Sequence, residues 1–183
     1  MLTKKEIRKE VLAERRALDE ETVALSSQVI CNKILKSEFY AEAENICLYM
    51  PIRNEVDVLL LAEAAYEDGK QVWIPKVVGD EMVFNAYEHG QNLVTGAYDI
   101  TESASETVLD PEDNTLIIMP GAVFTADRNR IGYGGGFYDK YLAKHPNCRT
   151  MAVCYDLQIV MELPVEEHDR KPDVLISESH VYM

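Results

Sequence analysis

Four glycines fall within five positions of the stretch RIGYGGGFYD, which runs from Arg130 to Asp139. The whole chain has only nine glycines, so this concentration indicates a backbone that must stay bare. Glycine permits positive φ and close approach of a ligand, and successive N–H groups in such a loop form a cradle for phosphate oxygens. Residues 140–145 have helical character, so the loop also opens a helix whose N-terminus favours an anion. The alternative is a tight strand-to-helix turn without a ligand.

Two common phosphate-binding motifs do not match this loop. A dinucleotide fingerprint that starts at Gly132 requires glycine at position 137, which is Phe137. A Walker A loop requires Gly-Lys followed by Ser or Thr, and the chain has no such triplet. NAD binding and P-loop chemistry are therefore disfavoured.

The cations that could join this loop are few, because the chain carries 18 basic residues against 32 acidic ones, a net charge of −14. No Lys or Arg occurs from Val77 to Asp127. An anion site must therefore draw on scattered side chains, of which the best placed are Lys4, Arg8, Lys76, Arg128 and Arg130. The other interpretation of the basic residues near the N-terminus is a solvated helix face paired with glutamates four or five residues away.

The composition excludes several classes of protein. The 183 residues are 47% hydrophobic and 27% charged, which is typical of one globular domain that spans residues 1–183. The strong acidity argues against nucleic-acid and membrane partners, and we expect a monomer, or else a homodimer. The charged opening residues do not resemble a secretory signal, so a cytoplasmic location is expected. The four cysteines have no metal-binding spacing and are expected to be buried and reduced.

Hydrophobic periodicity predicts an α/β protein. Thr3 and Glu6 form a capping-box pattern at the start of a helix, and a second helix follows within the first ~37 residues. A helix is predicted over 57–69, capped by Asp57 and ended by Gly69. Short apolar runs rich in β-branched residues predict strands within 45–51, 71–75, 115–120, 149–155 and 173–177, and residues 82–87 are a candidate antiparallel addition.

Strands that are apolar along their whole length imply a sheet covered on both faces. The best interpretation is a three-layer α/β fold, with a mostly parallel sheet flanked by helices in a single domain. Ligands in such sheets lie beyond the carboxyl ends of the strands, where Met50-Pro51, Pro75-Lys76 and Met119-Pro120-Gly121 would place the following loops.

The segment MPGAVFTADRNRIGYGGGFYDKYL at 119–142 resembles the signature of the 5-formyltetrahydrofolate cyclo-ligase family, also called methenyltetrahydrofolate synthetases. Further blocks resemble the same family in the same order: KKEIRKEVLAERRAL at 4–18, YMPIRNEVDV at 49–58, WIPKV at 73–77 and LPVEEHDRKPDVLIS at 163–177. The chain departs from the family pattern at Thr125 and Arg128, where Asp and Gly are usual, and at Ile131 and Phe137, where Leu and Tyr are common.

The resemblance implies an α/β enzyme that uses MgATP to convert 5-formyltetrahydrofolate to 5,10-methenyltetrahydrofolate. It also implies which residues contact ATP. Lys4 and Arg8 match the family's N-terminal Lys-x-x-x-Arg, and their spacing puts them on one helical face. Arg130 is expected to stabilise charge on the transferred phosphoryl group, and Lys76 is either a phosphate ligand or an exposed lysine. The residues that match the ATP-binding loop are Arg130, Ile131, Gly132, Tyr133, Gly134, Gly135, Gly136, Phe137 and Tyr138.

The resemblance also implies folate and magnesium sites. Met50 and Glu55 match folate-contacting positions, and the rings of Tyr133 and Phe137 are expected to wall the folate. Two further residues match the family's magnesium carboxylates, Asp139 and Asp169, with Asp173 as a possible substitute. Two other functions stay open, namely a noncatalytic folate- or nucleotide-binding module and an ATP-dependent kinase of another small metabolite.

Overall fold

The computed structural model describes residues 3–88, 93–111, 114–167 and 169–183. The helices are α1 (Lys4–Arg16), α2 (Glu20–Leu35), α3 (Glu38–Glu42), α4 (Leu60–Glu67) and α5 (Phe137–Lys144), with 3₁₀ turns at Ala97–Asp99 and Asp156–Gln158. The strands are β1 (Asn45–Cys47), β2 (Gln71–Val78), β3 (Glu81–Ala86), β4 (Leu93–Thr95), β5 (Thr101–Ser103), β6 (Thr115–Met119), β7 (Val123–Thr125), β8 (Arg130–Ile131), β9 (Arg149–Val153), β10 (Ile159–Val160), β11 (Val174–Ile176) and β12 (Val181–Tyr182).

The central sheet has the order β12-β11-β9-β6-β1-β2-β3 among the described strands. The pairs from β11 through β9, β6 and β1 to β2 are parallel, while β12 and β3 are antiparallel at the two edges. The predicted antiparallel addition at 82–87 is therefore confirmed as β3.

The sheet has an apolar layer on each face, because its strands alternate side chains between two cores. On one face Ile46, Leu116 and Val174 pack with residues of α2, α3 and α4. On the other face Cys47 and Ile117 pack with residues of α5. The expected three-layer α/β fold with a mostly parallel sheet is confirmed.

Local signals place the first helix correctly and the fourth only in part. Thr3 and Glu6 form a reciprocal capping box at the start of α1, as predicted. Helix α4 begins at Leu60 rather than at residue 57, so that boundary was wrong. The Asp57 carboxylate instead accepts a hydrogen bond from the N–H of Leu59, in the turn before the helix.

A third apolar cluster attaches α1 to the body of the protein. Val11 of α1 packs with Ala122, Val123 and Ile131, which belong to or adjoin the small sheet β10-β7-β8. Because β8 leads directly into the glycine loop and α5, this cluster fixes α1 beside that loop.

Candidate active site

A cavity of about 680 Å³ lies beyond the carboxyl ends of the parallel strands β1 and β6. It brings the glycine loop together with the loop after β1 and with the turn after β4. Its lining residues include Arg8, Tyr49, Met50, Ile52, Arg53, Glu55, Pro75, Val77, Tyr98, Ile100, Pro120, Arg130, Gly132, Tyr133, Gly134, Gly135, Gly136, Phe137, Tyr138 and Asp139.

The glycine loop presents an open backbone to this cavity. Gly134 and Gly136 have φ of 104° and 64°, a conformation that side chains with a Cβ rarely adopt. No backbone N–H of residues 132–136 donates to an acceptor within the described ranges. Gly136 is also the N-cap of α5, so the helix begins at the cavity wall. These features are those of an anion cradle.

Two arginines flank the cradle. A Cβ built on Gly132 would lie 3.2 Å from Nη1 of Arg130, and one on Gly134 would lie 3.3 Å from Nη1 of Arg8. The Nε atoms of both arginines are buried and have no hydrogen-bond partner among the residues that the structure describes. The loop is therefore bare where two guanidinium groups approach its backbone, and phosphate oxygens are the ligands that such a pair favours.

Arg130 is held in place by Asp139. Its side chain is 6% exposed, and Nη2 lies 3.1 Å and 3.2 Å from the two carboxylate oxygens of Asp139. Nη1 donates to the carbonyl of Pro120 at 3.3 Å. The Asp139 carboxylate also accepts the N–H of Arg170 at 3.0 Å, which ties the loop before β11 to this corner.

Lys4 and Asp169 form an ion pair outside the cavity lining. Nζ of Lys4 lies 2.8 Å from Asp169 and 3.4 Å from Glu166. Burial lowers the pKa of Lys4, but the hydrogen bond and charge of Asp169, followed by those of Glu166, more than offset this and raise it. The pair holds the first turn of α1 against the loop that contains Asp169, one turn away from Arg8.

Glu55 places a buried carboxylate in the opposite part of the cavity. It is 6% exposed, Oε2 accepts the N–H of Ile52 at 2.9 Å, and Oε1 accepts the hydroxyl of Tyr133. Burial raises its pKa, while the hydrogen bonds from Tyr133 and Ile52 and the charges of Arg15 and Arg53 oppose that rise. Met50 lies in the same loop and lines the cavity.

Besides Lys4 and Asp169, three further predicted positions lie away from the lining. Lys76 lies on β2 between two lining residues, so strand alternation directs it to the other face. Ile131 is buried in the cluster around α1, so any contact it makes with a nucleotide would be through its backbone. Asp173 accepts the N–H and the hydroxyl of Thr150, so it serves the packing of β9.

Two residues of this region were not anticipated. Arg15 belongs to a run of basic residues that reads as a solvated helix face, yet it is 1% exposed. Tyr98 lies in a polar stretch without a distinguishing pattern, but its ring stands edge-on to Phe137 at a centroid distance of 6.0 Å. Arg15 follows the buried Val11 by four residues, so the two side chains lie on the same face of α1. This spacing is the sequence signal that predicts the burial of Arg15.

Two of the four departures from the family pattern, Thr125 and Arg128, lie before the glycine loop and outside the cavity lining. Thr125 is buried, and its hydroxyl accepts hydrogen bonds from Asn129. Arg128 has a φ of 65° and donates to the carbonyl of Asp173. The usual glycine at position 128 suits this left-handed backbone, and here arginine adopts it instead.

The carboxylates fit magnesium in one mode only. No group of three or more His, Cys, Asp or Glu able to hold a metal occurs among the residues that the structure describes. Mg²⁺ needs no such cage, because it takes one or two carboxylates, keeps waters and completes its shell with substrate phosphates. Asp139 lines the cavity beside the cradle and suits this mode, although its carboxylate also pairs with Arg130, whereas Asp169 lies outside the lining and is paired with Lys4.

No helix in the described part of the chain combines the length and apolar character needed to cross a membrane.

The fold and the site together define an α/β protein with an anion cradle that faces a carboxylate-bearing pocket. The model of the 5-formyltetrahydrofolate cyclo-ligase family matches residues 1–178, and the chain belongs to that family.

Curated relatives and solved structures agree with this assignment. A probable 5-formyltetrahydrofolate cyclo-ligase of Schizosaccharomyces pombe is 30% identical over 170 residues, with 83% of each chain covered. The mouse 5-formyltetrahydrofolate cyclo-ligase is 28% identical, covering 96% of this chain and 93% of the mouse protein. The structure of Aquifex aeolicus 5,10-methenyltetrahydrofolate synthetase is similar with a TM-score of 0.85 and 31% identity, covering 98% and 92% of the two chains.

Proposed function

We propose that this protein converts 5-formyltetrahydrofolate to 5,10-methenyltetrahydrofolate, with ATP as the phosphoryl donor and Mg²⁺ as the metal. One observation carries the proposal: a glycine cradle flanked by Arg8 and Arg130 faces the same cavity as the buried Glu55 carboxylate. Membership of the cyclo-ligase family supports the same reaction.

The chemistry needs activation because a formamide oxygen is a poor leaving group. The formyl oxygen attacks the γ-phosphorus of ATP, and ADP departs. The second folate nitrogen then attacks the formyl carbon and loses its proton, and the C–O bond breaks to release phosphate. Catalysis of such a transfer depends on positioning and on charge stabilisation rather than on a protein nucleophile.

The cradle and its arginines would hold the nucleotide. The open N–H groups of the glycine loop and the N-terminus of α5 face the phosphates, and Arg8 adds a guanidinium from α1. Arg130, fixed by Asp139, is the group that would meet charge developing on the transferred phosphoryl group. Lys4, which would also contact ATP, lies one helical turn from Arg8 and is paired with Asp169.

Magnesium would be held by Asp139 together with substrate phosphates. Bound there, it would neutralise charge on the phosphate oxygens. Asp169 would contribute only if its carboxylate were shared with Lys4, since Nζ of Lys4 lies 2.8 Å from it.

The folate would occupy the other part of the cavity. Glu55 can accept hydrogen bonds from pterin N–H groups, and Met50 offers an apolar contact in the same loop. Tyr133 and Phe137 also line the cavity, with aromatic rings suited to stacking against the flat ring system.

An ultraviolet assay for the methenyl product tests the proposal. Purified protein is mixed with 5-formyltetrahydrofolate, and ATP and Mg²⁺ are added separately and then together. We expect the absorbance of 5,10-methenyltetrahydrofolate to appear only with all components, with one ADP released per product. Phosphorylated product without that absorbance would instead indicate a kinase, and tight binding without turnover would indicate a noncatalytic module.

A further inference from the structure

Arg15 is a buried cation whose ionic partner, Glu55, lies at the limit of ion-pair distance. Its side chain is 1% exposed, and the nearest oxygen of Glu55 lies 4.0 Å from Nη1, beyond hydrogen-bond distance. Nη2 is buried and makes no hydrogen bond to any part of the chain that the structure describes. A buried guanidinium held this way costs stability, so its presence at this point requires a reason beyond packing.

The guanidinium acts on Glu55 through one hydroxyl group. Nη1 of Arg15 donates to the hydroxyl of Tyr133 at 2.7 Å, and that hydroxyl donates to Oε1 of Glu55. A tyrosine hydroxyl has one proton, so the bond accepted from Arg15 directs that proton to the carboxylate. With Oε2 held by the N–H of Ile52, both oxygens of Glu55 have fixed directions.

The same helix also holds the loop that carries Glu55. Arg53 and Asn54 have φ of 50° and 62°, a strained left-handed pair. The Asn54 side-chain amide donates to the carbonyls of Arg15, Arg16 and Leu18 at the end of α1. Nε of Arg15 donates in return to the carbonyl of Arg53 at 3.3 Å.

We propose that Arg15 is a positioning residue that joins the two parts of the cavity. Through the Tyr133 hydroxyl it aims the Glu55 carboxylate at the folate, and it keeps Tyr133, which stands between Gly132 and Gly134, in register with the nucleotide cradle. The inference rests on the proposed function and deepens it by adding a residue that touches neither substrate.

The ionisation of Glu55 gives this role a distinct signature. The groups that face the carboxylate are Arg15 from α1, Arg53 from its own loop and Tyr133 from the glycine loop, with Tyr49, Tyr138 and Tyr155 nearby. Loss of Arg15 removes a positive charge that lowers the pKa of Glu55, so the carboxyl group should stay protonated to higher pH. The ionised group is purely an acceptor, whereas the protonated group carries an O–H donor on one of its oxygens.

A double-mutant cycle tests the proposal. Arg15→Met, Tyr133→Phe and the double variant are compared with the wild type by kcat and KM for each substrate across pH. Each single variant should raise the KM for 5-formyltetrahydrofolate about tenfold or more, as loss of a hydrogen bond to a charged group does. The acidic limb of kcat/KM should move to higher pH in both, and the double variant should lose little more than either single variant.

Asn54→Gly is the matched control, because glycine keeps the left-handed backbone and removes only the three amide hydrogen bonds. It should lower Tm without moving the acidic limb. If Arg15→Met does not fold, the shift of the acidic limb of kcat/KM in Tyr133→Phe alone tests the proposal.

If the acidic limb of kcat/KM does not move in the single variants, or if their losses of activity multiply in the double variant, the role proposed for Arg15 is wrong. Turnover by the wild type would leave the proposed function intact in that case. Absence of wild-type turnover in the same assay would overturn both.

Discussion

Arg130 and Asp139 form a contact in which one guanidinium nitrogen lies 3.1 Å and 3.2 Å from the two carboxylate oxygens. The eight residues between them comprise the whole glycine loop, so this contact closes the loop at its base. With Nη1 on the carbonyl of Pro120, the guanidinium has a fixed direction along the cavity wall. A charge donor that is fixed before the substrate arrives is the arrangement that phosphoryl transfer requires.

Arg130→Ala should lower kcat by about 10²-fold or more, because it removes a fixed charge donor from the transition state. Steady-state formation of the methenyl product measures this loss. Arg128→Gly is the matched control: it removes an arginine from the preceding turn, and glycine suits the φ of 65° there. We expect Arg128→Gly to stay within about twofold of the wild-type kcat, because position 128 lies outside the cavity lining.

Gly134→Ala should raise the KM for ATP about tenfold, because its Cβ would approach Nη1 of Arg8 and displace a charged donor. Gly79→Ala is the control, since Gly79 also has a positive φ, 66° against 104° at Gly134, but nothing lies within 4 Å of an added Cβ. Both variants should lose about 1 kcal/mol of stability from backbone strain. Equal KM values in the two variants would contradict the role of the cradle.

Glu55→Gln should weaken folate binding while it increases stability at neutral pH. Burial raises the pKa of Glu55, so the folded state favours the protonated form, and the wild type loses stability as pH rises through that raised pKa. Glutamine removes this cost. Thermal unfolding at several pH values should therefore show a Tm difference, variant minus wild type, that grows as pH rises. A Tm difference that shrinks as pH rises would contradict a raised pKa of Glu55.

Asp139→Asn should raise the Mg²⁺ concentration needed for half-maximal activity and should also lower kcat, since the same carboxylate orients Arg130. Asp169→Asn should have the smaller effect on Mg²⁺ dependence, because Asp169 lies outside the cavity lining, whereas Asp139 lies within it. Titration of Mg²⁺ at saturating ATP distinguishes the two. A larger metal dependence in Asp169→Asn would reverse this assignment.

The four cysteines should resist thiol reagents in the native protein. All four are buried thiols outside any disulfide, as the sequence predicted, and burial, followed by the charge of Asp57, raises the pKa of Cys31 to about 12. Burial also raises the pKa of Cys47 and Cys154. Ellman's reagent should react slowly with the folded chain and with four thiols after denaturation.

Several features were accessible from the sequence because they depend on nearby residues. The capping box of Thr3 and Glu6 and the positive φ of Gly69 after α4 are decided within one or two turns of chain. The glycine loop was also predictable from nearby residues, since four glycines within five positions indicate a backbone without side chains. A cytoplasmic location, a monomeric state and a single domain stay predictions.

The start of α4 shows why local signals lose precision. Asp57 was expected to cap the helix directly, and it caps the preceding turn instead, so the helix begins at Leu60. Both arrangements satisfy an N–H group with the same carboxylate, and packing of the helix against the sheet decides between them.

The sequence by itself determined the α/β class, the apolar strands, the cap of α1 and the glycine loop between Arg130 and Asp139. Only the tertiary structure decided the order of the strands, the face to which Lys76 points and the burial of Arg15 against Tyr133. The physical reason is distance along the chain: helix caps and bare turns arise from interactions over a few residues. A guanidinium on α1 meets a hydroxyl 118 positions later only because the core and the small sheet bring those segments together.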